Sequence, residues 1–479
     1  MRLTSVESRS RCSQAKDTPT SRAKEGMLPA MAVPPPPERI LVAACAAAGS
    51  VQVECRPTPR PGPGEVLLRL HCAGLCGTDL WKLRHGTAEA GSVLGHEVVG
   101  SVVELGAGPW DAGAPRPGDR LFVPHHVACG RCELCRAGSE TMCPAFAENQ
   151  LAPGGFSDHL AVRARGVAAA LRLPPELPDE SAVFLEPAAC VLRGFRRAGL
   201  GRDGGGDARS GGDAGSGGGG ASSGGGGAGG GGGDARSDSG DAGGGSAAEA
   251  GTCIAVLGAG GMGLLHVLVG KALHPGLRIV VCEPIAARRE TALRLGADAA
   301  APPGGPARRA VEELSGGRGA AAVFDTAGGA AATEAALALG RPGGTVVLFA
   351  HAAAGERAGF EINRLFKSER RLIATYSSAA SEQREVFSWL LAGRLDPSPL
   401  VSHRLPLSRI AEAVELAAGQ RALKVLLHPD SPPSAALDSG PDRGAGSEPG
   451  PGPGPGSEPG HGHGPTLPHV RPAGHRGAA

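Results

Sequence analysis

The sequence lacks two features that would point to a membrane or to nucleic acid. It contains no continuous run of roughly 18 or more apolar residues, the length that a helix needs to cross a bilayer. Neither sign of charge is in excess, because 48 basic residues are balanced by 47 acidic ones and the net charge is +1. We therefore predict no membrane span and no electrostatic attraction to nucleic acid or anionic membranes.

The first 37 residues also lack the apolar central region of a secretory signal. They contain Glu7, Asp17 and Glu25, whereas organelle presequences are poor in acidic residues. We expect residues 1–37 to be a disordered extension of a cytoplasmic protein. Met27 or Met31 is an alternative translation start.

Glycine and proline are abundant, with 79 and 41 residues, and they concentrate in a few biased segments. The segments 202–250 and 430–479 contain too few apolar residues to offset the conformational entropy lost on folding. We predict that both are disordered. The rest of the chain is long enough for two packed domains.

Short segments with alternating polarity, such as Arg39–Cys45 and Glu65–Cys72, predict a mainly β domain over residues 38–188. Val93–Leu105 is a strand-rich stretch of this half. The pattern then changes, and Asp179–Leu200 is predicted to form one helix.

Beyond the glycine-rich insert, apolar strands alternate with helices. Thr252–Leu257 and Arg278–Cys282 are predicted strands, with a helix from Met262 to about Leu273 between them. Such alternation implies a doubly wound parallel sheet covered on both faces, so the fold class is α/β over residues 189–349.

Four cysteines lie close together in the first half, at Cys129, Cys132, Cys135 and Cys143. Four thiolates in one loop can close a tetrahedral shell around Zn²⁺ without leaving a site for water, which indicates a structural zinc. An iron–sulfur cluster or a chance grouping remain alternatives. His125 and His126 precede the motif and are interpreted as loop residues.

A second set of candidate ligands is dispersed along the chain. It comprises Cys76 and Asp79 in Cys-Gly-Thr-Asp, His96 and Glu97 in Gly-His-Glu, and Glu186 before a proline. One sulfur, one nitrogen and carboxylate oxygens together suit a catalytic zinc with an exchangeable position.

A glycine pattern follows the first apolar strand of the second half and opens a helix, with glycines at Gly258, Gly260 and Gly263. This context predicts a dinucleotide-binding turn, in which pyrophosphate approaches the helix N-terminus. Glu283, 20 residues later, would bind a ribose hydroxyl and favours NAD. Arg288 and Arg289 keep NADP open, and a purely structural glycine turn is a further alternative.

The order of these motifs resembles the zinc-containing medium-chain dehydrogenase/reductase family over residues 38–428, apart from the insert. The similarity is greatest to the polyol (sorbitol-like) and threonine dehydrogenase branch, because Glu186-Pro187 stands where liver-type enzymes have a cysteine-type ligand. The resemblance implies a GroES-like catalytic domain over 38–188, completed by about 350–429, and a Rossmann domain over 189–349. Zinc and nicotinamide would share the cleft between them.

Carried over to this sequence, the resemblance makes Cys76 and His96 zinc ligands, and Glu97 and Glu186 ligands or water-mediated neighbours. Thr78 would accept the proton of the substrate hydroxyl. Further positions would contact or lie near the cofactor: Met262, Glu283, Arg288 and the stretch Phe349–His351.

Two departures from these relatives affect the expected chemistry. Trp81 stands where relatives commonly have a proton-relay histidine, so the proton would leave through His85 or water. The stretch Thr375–Ser378 replaces residues that contact substrate in sorbitol enzymes.

The sequence therefore predicts two zinc ions per chain and hydride transfer between NAD and a secondary alcohol, such as a polyol or sugar. The alternatives are a reductase of enones or quinones and a non-enzymatic NAD or zinc sensor. We expect a homodimer or homotetramer, with the small-molecule alcohol as the other partner.

Overall fold

The computed structural model describes residues 34–46, 49–201 and 251–430. The predicted disordered segments 1–37, 202–250 and 430–479 fall almost entirely outside the described residues. Within the described part, no helix is both long enough and apolar enough to cross a membrane.

The mainly β domain is built on an eight-stranded sheet, which strands of the first half form together with two strands from residues 401–428. Its central path runs β15-β16-β3-β4-β5-β8. All pairings are antiparallel except that of β15 with β16, and two further strands join beside β3. A separate antiparallel pair, β1 and β2, packs beside it. These strands are β1 Arg39–Cys45, β2 Val51–Pro57, β3 Val66–Gly74, β4 Glu97–Leu105, β5 Arg120–Phe122, β6 Leu151–Ala152, β7 His159–Val162, β8 Leu171–Arg172, β15 Val401–Pro406 and β16 Lys424–His428.

The second half contains six parallel strands in the order β11-β10-β9-β12-β13-β14. Strand order 3-2-1-4-5-6 is that of dinucleotide-binding sheets, in which ligands bind beyond the carboxyl ends of the strands. Apart from the exposed Arg278 at the start of one strand, the two central strands are apolar because helices cover both faces. The strands are β9 Cys253–Leu257, β10 Arg278–Cys282, β11 Ala299–Ala301, β12 Ala320–Asp325, β13 Gly340–Leu348 and β14 Arg371–Ala374.

Twelve α-helices occur in the described residues. They are α1 Gly77–His85, α2 Glu133–Arg136, α3 Ala164–Ala169, α4 Asp179–Ala182, α5 Leu185–Arg197, α6 Gly261–Leu273, α7 Ala286–Arg294, α8 Gly305–Ser315, α9 Ala330–Leu339, α10 Ile362–Lys367, α11 Ala380–Leu391 and α12 Ile410–Ala418.

The single helix predicted over Asp179–Leu200 is wrong, because the chain forms α4 and α5 with a break at Val183-Phe184. Pro187 lies in the first turn of α5 and has no N–H to donate to the carbonyl of Val183. The predicted strand-rich stretch Val93–Leu105 is a strand only from Glu97, which leaves His96 in a loop.

The boundary predicted at residue 349 also needs correction, because β14 extends the six-stranded sheet to Ala374. This strand has only four residues, and the residues at its two ends are exposed, so its short apolar run was not predicted to be a strand. The strands predicted at Arg39–Cys45 and Arg278–Cys282 are confirmed.

Candidate active site

The four-cysteine loop is built from residues close in sequence. Cys132 immediately precedes α2, Cys135 lies on it, and Cys143 follows one short 3-10 turn later. All four sulfur atoms lie within 4.8 Å of one another, and the Sγ atoms of Cys132 and Cys135 are 3.4 Å apart. These distances suit four ligands around one ion.

Backbone amides favour the thiolate form of Cys129 and Cys143, whereas burial and the neighbouring thiols raise the pKa of Cys135 to about 12. The backbone N–H groups of Arg131 and Cys132 lower the pKa of Cys129 to about 6. The N–H of Cys129 in turn donates to the Sγ atom of Cys143, at 3.4 Å. Because the thiolate is the form that binds metal, the loop fits a Zn²⁺ ion.

The dispersed set comes together through two turns at the edge of the first sheet. Cys76 immediately precedes α1, His96 precedes β4, and Glu97 begins that strand. One potential ligand atom from each of the three lies within 4.8 Å of the others. Sulfur, imidazole and carboxylate donors at this spacing fit a zinc ion with an open position.

The buried side chain of Asp79 orients Cys76 and His96. Its carboxylate is buried, lies 3.4 Å from the Nδ1 atom of His96, and accepts the backbone N–H groups of Cys76 and Gly95. Burial alone would raise the pKa of Asp79, but His96, the amide of Cys76 and the charge of Lys82 hold it below its ordinary value. With Nδ1 directed at a carboxylate, the other ring nitrogen, Nε2, is left to bind a metal ion.

Glu97 has a partner that the sequence did not reveal. Its fully buried carboxylate accepts hydrogen bonds from Lys424 Nζ at 2.7 and 2.6 Å, so both oxygens contact one ammonium group. Burial opposes the charge of Lys424, but Glu97 raises its pKa above the ordinary value. Gly74 leaves the space for this pair, since a Cβ there would overlap the Glu97 carboxylate.

Glu186 is not part of the three-residue group, although it lies nearby. It is buried on α5, and burial raises its pKa. The thiol of Cys190, one helical turn later, donates to Glu186 Oε1 at 3.5 Å. Glu186 is therefore a buried carboxyl near this group, whose pKa His96 lowers and Glu97 raises.

Trp81 joins the two halves of the molecule. Its indole N–H donates to the carbonyl of Ala352 at 3.0 Å, and its ring stacks on His351 with centroids 4.8 Å apart. His85 packs against the same indole at 4.8 Å. Helix α1 thus meets the loop that follows β13, and Thr78 lies in the first turn of that helix.

His125 and His126, which were interpreted as loop residues, lie beside the dispersed set of candidate ligands. The His125 ring is 4.7 Å from that of His96, and the His126 ring is 4.0 Å from that of His125. Burial lowers the pKa of His125 well below its ordinary value and that of His126 to about 4. Both imidazoles are therefore neutral near pH 7.

The glycine-rich turn has the geometry needed for close approach of a ligand. Gly258 adopts a positive φ of 94°, which favours glycine. A Cβ at Gly263 would overlap the carbonyl oxygen of Gly258, whereas nothing lies within 4 Å of a Cβ at Gly260. The helix N-terminus beside Gly260 is thus open to a phosphate group.

Glu283 lies at the carboxyl end of β10 and is buried against this turn. Its two carboxylate oxygens accept the backbone N–H groups of Ala259 at 2.7 Å and Ile285 at 2.9 Å. Arg288 is directed elsewhere, since its guanidinium donates to the carbonyl of Gln420 at 2.6 Å. Arg289 likewise donates to the carbonyls of Glu283 and Pro284.

The remaining predicted cofactor positions lie on the same edge of the sheet. Met262 is half-buried in the first turn of α6, and its carbonyl contacts His266 Nδ1 at 2.8 Å. Phe349 packs edge-on against His266, with ring centroids 4.6 Å apart.

Comparison with known proteins agrees with this architecture. Residues 62–174 match the alcohol dehydrogenase GroES-like domain, and residues 261–392 match the zinc-binding dehydrogenase domain. Together these matches cover just over half of the chain.

Individual relatives are more distant in sequence but extend over most of the chain. Sorbitol dehydrogenase of Gallus gallus is 27% identical over 405 residues, covering 80% of this chain and 94% of the relative. L-threonine 3-dehydrogenase of Thermococcus kodakarensis is 26% identical over 382 residues, covering 78% and 92%. The solved alcohol dehydrogenase TADH from Thermus sp. ATN1 has a TM-score of 0.63 and 28% identity, covering 81% of this chain and all of that one. The chain therefore belongs to the zinc-containing medium-chain dehydrogenase family and is an alcohol oxidoreductase.

Proposed function

We propose that the protein is a zinc-dependent, NAD-linked dehydrogenase of secondary alcohols that carry further hydroxyl groups, such as polyols and sugars. The contact of Trp81 with His351 and Ala352 is the observation that carries this proposal. It brings the helix next to Cys76 against the loop after β13, so the candidate metal ligands and the nucleotide-binding edge face one cleft.

Zinc bound by Cys76 and His96 would polarise the substrate hydroxyl, and NAD⁺ would accept the hydride from the carbinol carbon, giving a ketone, NADH and a proton. Thr78, two residues after Cys76, would accept the hydroxyl proton. Asp79 would hold His96 in the orientation that directs Nε2 towards the metal.

Glu97 and Glu186 have different proposed roles in this cleft. Lys424 neutralises Glu97 and holds both of its oxygens, so Glu97 becomes a ligand only when it releases that ammonium group. Glu186 is a buried carboxyl that would contact the metal through water. The four cysteines Cys129, Cys132, Cys135 and Cys143 would hold a second, structural zinc.

Glu283 supports NAD over NADP as the cofactor. Its buried carboxylate at the end of β10 would accept a ribose hydroxyl and repel a 2′-phosphate. Arg288 and Arg289 donate to backbone carbonyls and would have to release them to bind such a phosphate. The glycines at 258, 260 and 263 would hold the pyrophosphate, beside Met262.

The proton of the substrate hydroxyl must leave the cleft by a route that does not pass through Trp81. The indole of Trp81 has no acceptor nitrogen and donates its N–H to a backbone carbonyl, so it cannot pass a proton on. His85 lies one turn later on helix α1 and packs against the indole of Trp81. We propose that the proton passes from Thr78 to water in the cleft.

We also propose that the protein forms a homo-oligomer through the far edge of the six-stranded sheet. Among the described residues, strand β14 has a paired neighbour on one side only, and beside it Ile362 and Phe366 of α10 are each 76% exposed. An open strand edge with adjacent apolar side chains is suited to pairing with a second copy.

The function is tested by following NADH formation with a panel of polyols, sugars and simple alcohols, using Cys76→Ser as the control. The proposal predicts NAD-dependent oxidation by the wild-type protein and none by the variant. Protein that contains zinc and binds NADH but oxidises no member of the panel would favour a sensor. Reduction of enones or quinones without alcohol oxidation would favour the other alternative.

A further inference from the structure

A cavity of about 220 Å³ lies at the amino ends of the strands of the six-stranded sheet. Its walls include the starts of β9, β10 and β13 and the turn between α8 and β12. The nucleotide-binding turn is at the opposite edge, because the five residues of β9 span about 16 Å between the two ends. The cavity is therefore separate from the cleft proposed for NAD and the alcohol.

Three arginines line this cavity, and none of its lining residues is acidic. They are Arg278, Arg318 and Arg341, and all three are exposed to solvent. Positive charges that share one cavity repel one another, so an anion between them would be attracted by all three. The cluster does not reflect a general excess of basic residues, since the net charge of the chain is only +1.

Two of these side chains are held in place by neighbouring carbonyls at the end of α8. Arg278 Nη1 donates to the carbonyl of Leu314, and Arg318 Nε donates to that of Ser315, each at 3.0 Å. Because the two acceptors are consecutive residues, the two guanidinium groups lie close together. Each guanidinium has five N–H donors and uses one of them here, so most of its donors remain available to a ligand.

Arg341 approaches the same turn from β13. A Cβ at Gly319 would lie only 3.0 Å from the backbone nitrogen of Arg341, so the two segments are in direct contact. Within residues 34–46, 49–201 and 251–430, the Arg341 guanidinium forms neither an ion pair nor a hydrogen bond. The third guanidinium of the cavity thus has all of its donors free.

A neighbouring carboxylate does not neutralise the cluster. Asp298 influences Cys253, a lining residue that Arg278 also influences. Its Oδ2 atom accepts hydrogen bonds from Lys271 Nζ at 2.8 Å and from the backbone N–H of Ile279 at 2.7 Å. Asp298 is therefore already bound to another cation and to an amide.

We propose that this cavity is a second anion site, in which the guanidinium groups of Arg278, Arg318 and Arg341 bind a phosphate group. Planar guanidinium donors match the oxygens of a phosphate, and several such groups can bind one phosphate together. The volume is below the roughly 300 Å³ at which pockets for larger organic ligands begin, so the cavity suits a phosphate group rather than a whole dinucleotide. This site does not depend on the proposed function.

The test titrates inorganic phosphate into the full-length protein, followed by calorimetry, with NADH present to occupy the glycine-rich turn. Methyl phosphate is a second probe, because it distinguishes free phosphate from the phosphate of an ester. Acetate is the comparison for a small anion of another class. The proteins are wild type, Arg341→Gln, Arg278→Gln/Arg341→Gln and Arg308→Gln. Arg308 is exposed on α8 outside the cavity, so its variant controls for the loss of one positive charge.

We expect saturable binding of inorganic phosphate to the wild type, with Kd below about 10 mM. Arg341→Gln should weaken this binding at least about tenfold, and the double variant should weaken it further. Arg308→Gln should bind as the wild type does. Arg341→Gln removes no hydrogen bond among the described residues, so its unfolding midpoint without phosphate should equal that of the wild type. Methyl phosphate binding as tightly as inorganic phosphate would indicate a phosphate ester as the ligand, and weaker binding would indicate the free ion.

The absence of saturable phosphate binding to the wild type overturns the inference. So does equal binding by Arg341→Gln, or an equal loss in Arg308→Gln, which would be an effect of net charge alone. Acetate that binds as tightly as phosphate would contradict the assignment to phosphate. Thermal unfolding gives an independent readout, because a ligand that binds only the folded state raises the midpoint. Phosphate should raise it in the wild type and in Arg308→Gln but not in the double variant.

Discussion

The two groups of candidate zinc ligands are built in opposite ways. Cys129, Cys132, Cys135 and Cys143 fall within one loop, and their geometry depends on short turns and nearby amides. Cys76 comes from one turn and the adjacent residues His96 and Glu97 from another, and their positions depend on Asp79 and on Lys424, which is 327 residues from Glu97. A local site can stabilise its own loop, whereas the dispersed site requires the whole fold.

This difference predicts different consequences of losing a ligand. Removing a cysteine from the loop should affect stability first, because the loop has little apolar core of its own. Removing a ligand from the dispersed set should affect chemistry first, because its surroundings stay packed. The following changes test that distinction, from the largest expected effect to the smallest.

Cys76→Ser should lower kcat/KM by at least about a thousandfold, because it removes a ligand of the metal that would polarise the substrate hydroxyl. Affinity for NADH, measured by fluorescence titration, should stay near the wild-type value. Cys55→Ser, which removes a thiol from β2 outside both groups, is the matched control. Retained activity in Cys76→Ser would show that this group is not the catalytic centre.

Cys132→Ser should lower stability by several kcal/mol, because an opened structural site loses its metal and with it the folding energy of the loop. Soluble yield and the midpoint of thermal unfolding should both decrease. The same measurements on Cys76→Ser provide the comparison. Equal losses of stability in the two variants would contradict the assignment of one structural and one catalytic group of ligands.

Lys424→Met should lower the free energy of unfolding by about 3–5 kcal/mol, because it leaves the Glu97 carboxylate buried without a cation. The double variant Lys424→Met/Glu97→Gln should regain most of this loss. Arg404→Met breaks a surface ion pair with Glu180, in which the two side chains are 53% and 31% exposed, so it should cost less than about 1 kcal/mol. Equal costs for the two single variants, measured by urea denaturation, would contradict the role given to Lys424.

Deletion of residues 203–249 should have the smallest effect, since it touches neither group of ligands. Both ends of this segment meet one turn: the carbonyl of Leu200 contacts His274 Nε2 at 2.9 Å, and the N–H of Gly251 donates to Gly276 at 3.1 Å. We expect kcat/KM to stay within about twofold of the wild-type value. The free energy of unfolding should stay within about 1 kcal/mol of it. Failure of the shortened protein to fold would show that the segment contributes to stability.

The same contrast explains what could be predicted from the sequence. The four cysteines and the glycine turn are recognisable from spacing alone, because their chemistry is local. Cys76, His96 and Glu97 could be grouped only by the chemistry of their donor atoms, since none of them indicates a metal site by itself, and the family resemblance then gave each residue a role.

Contacts between distant segments could not be predicted. Lys424 is the first residue of an apolar strand, and nothing near it indicates that it binds Glu97. His125 resembles any loop residue until β5 and β4 bring it against His96. The break before helix α5 could not be predicted from the pattern of polar and apolar residues. It arises because Pro187 has no N–H to donate, which polarity does not reveal.

Zinc content per chain, measured by elemental mass spectrometry, tests the central claim most directly. The two ligand groups predict two zinc ions in the wild type. Cys76→Ser should retain one ion and a wild-type unfolding midpoint while losing turnover. A wild type with a single zinc ion, or a Cys76→Ser protein that still holds two, would contradict the assignment of one structural and one catalytic site.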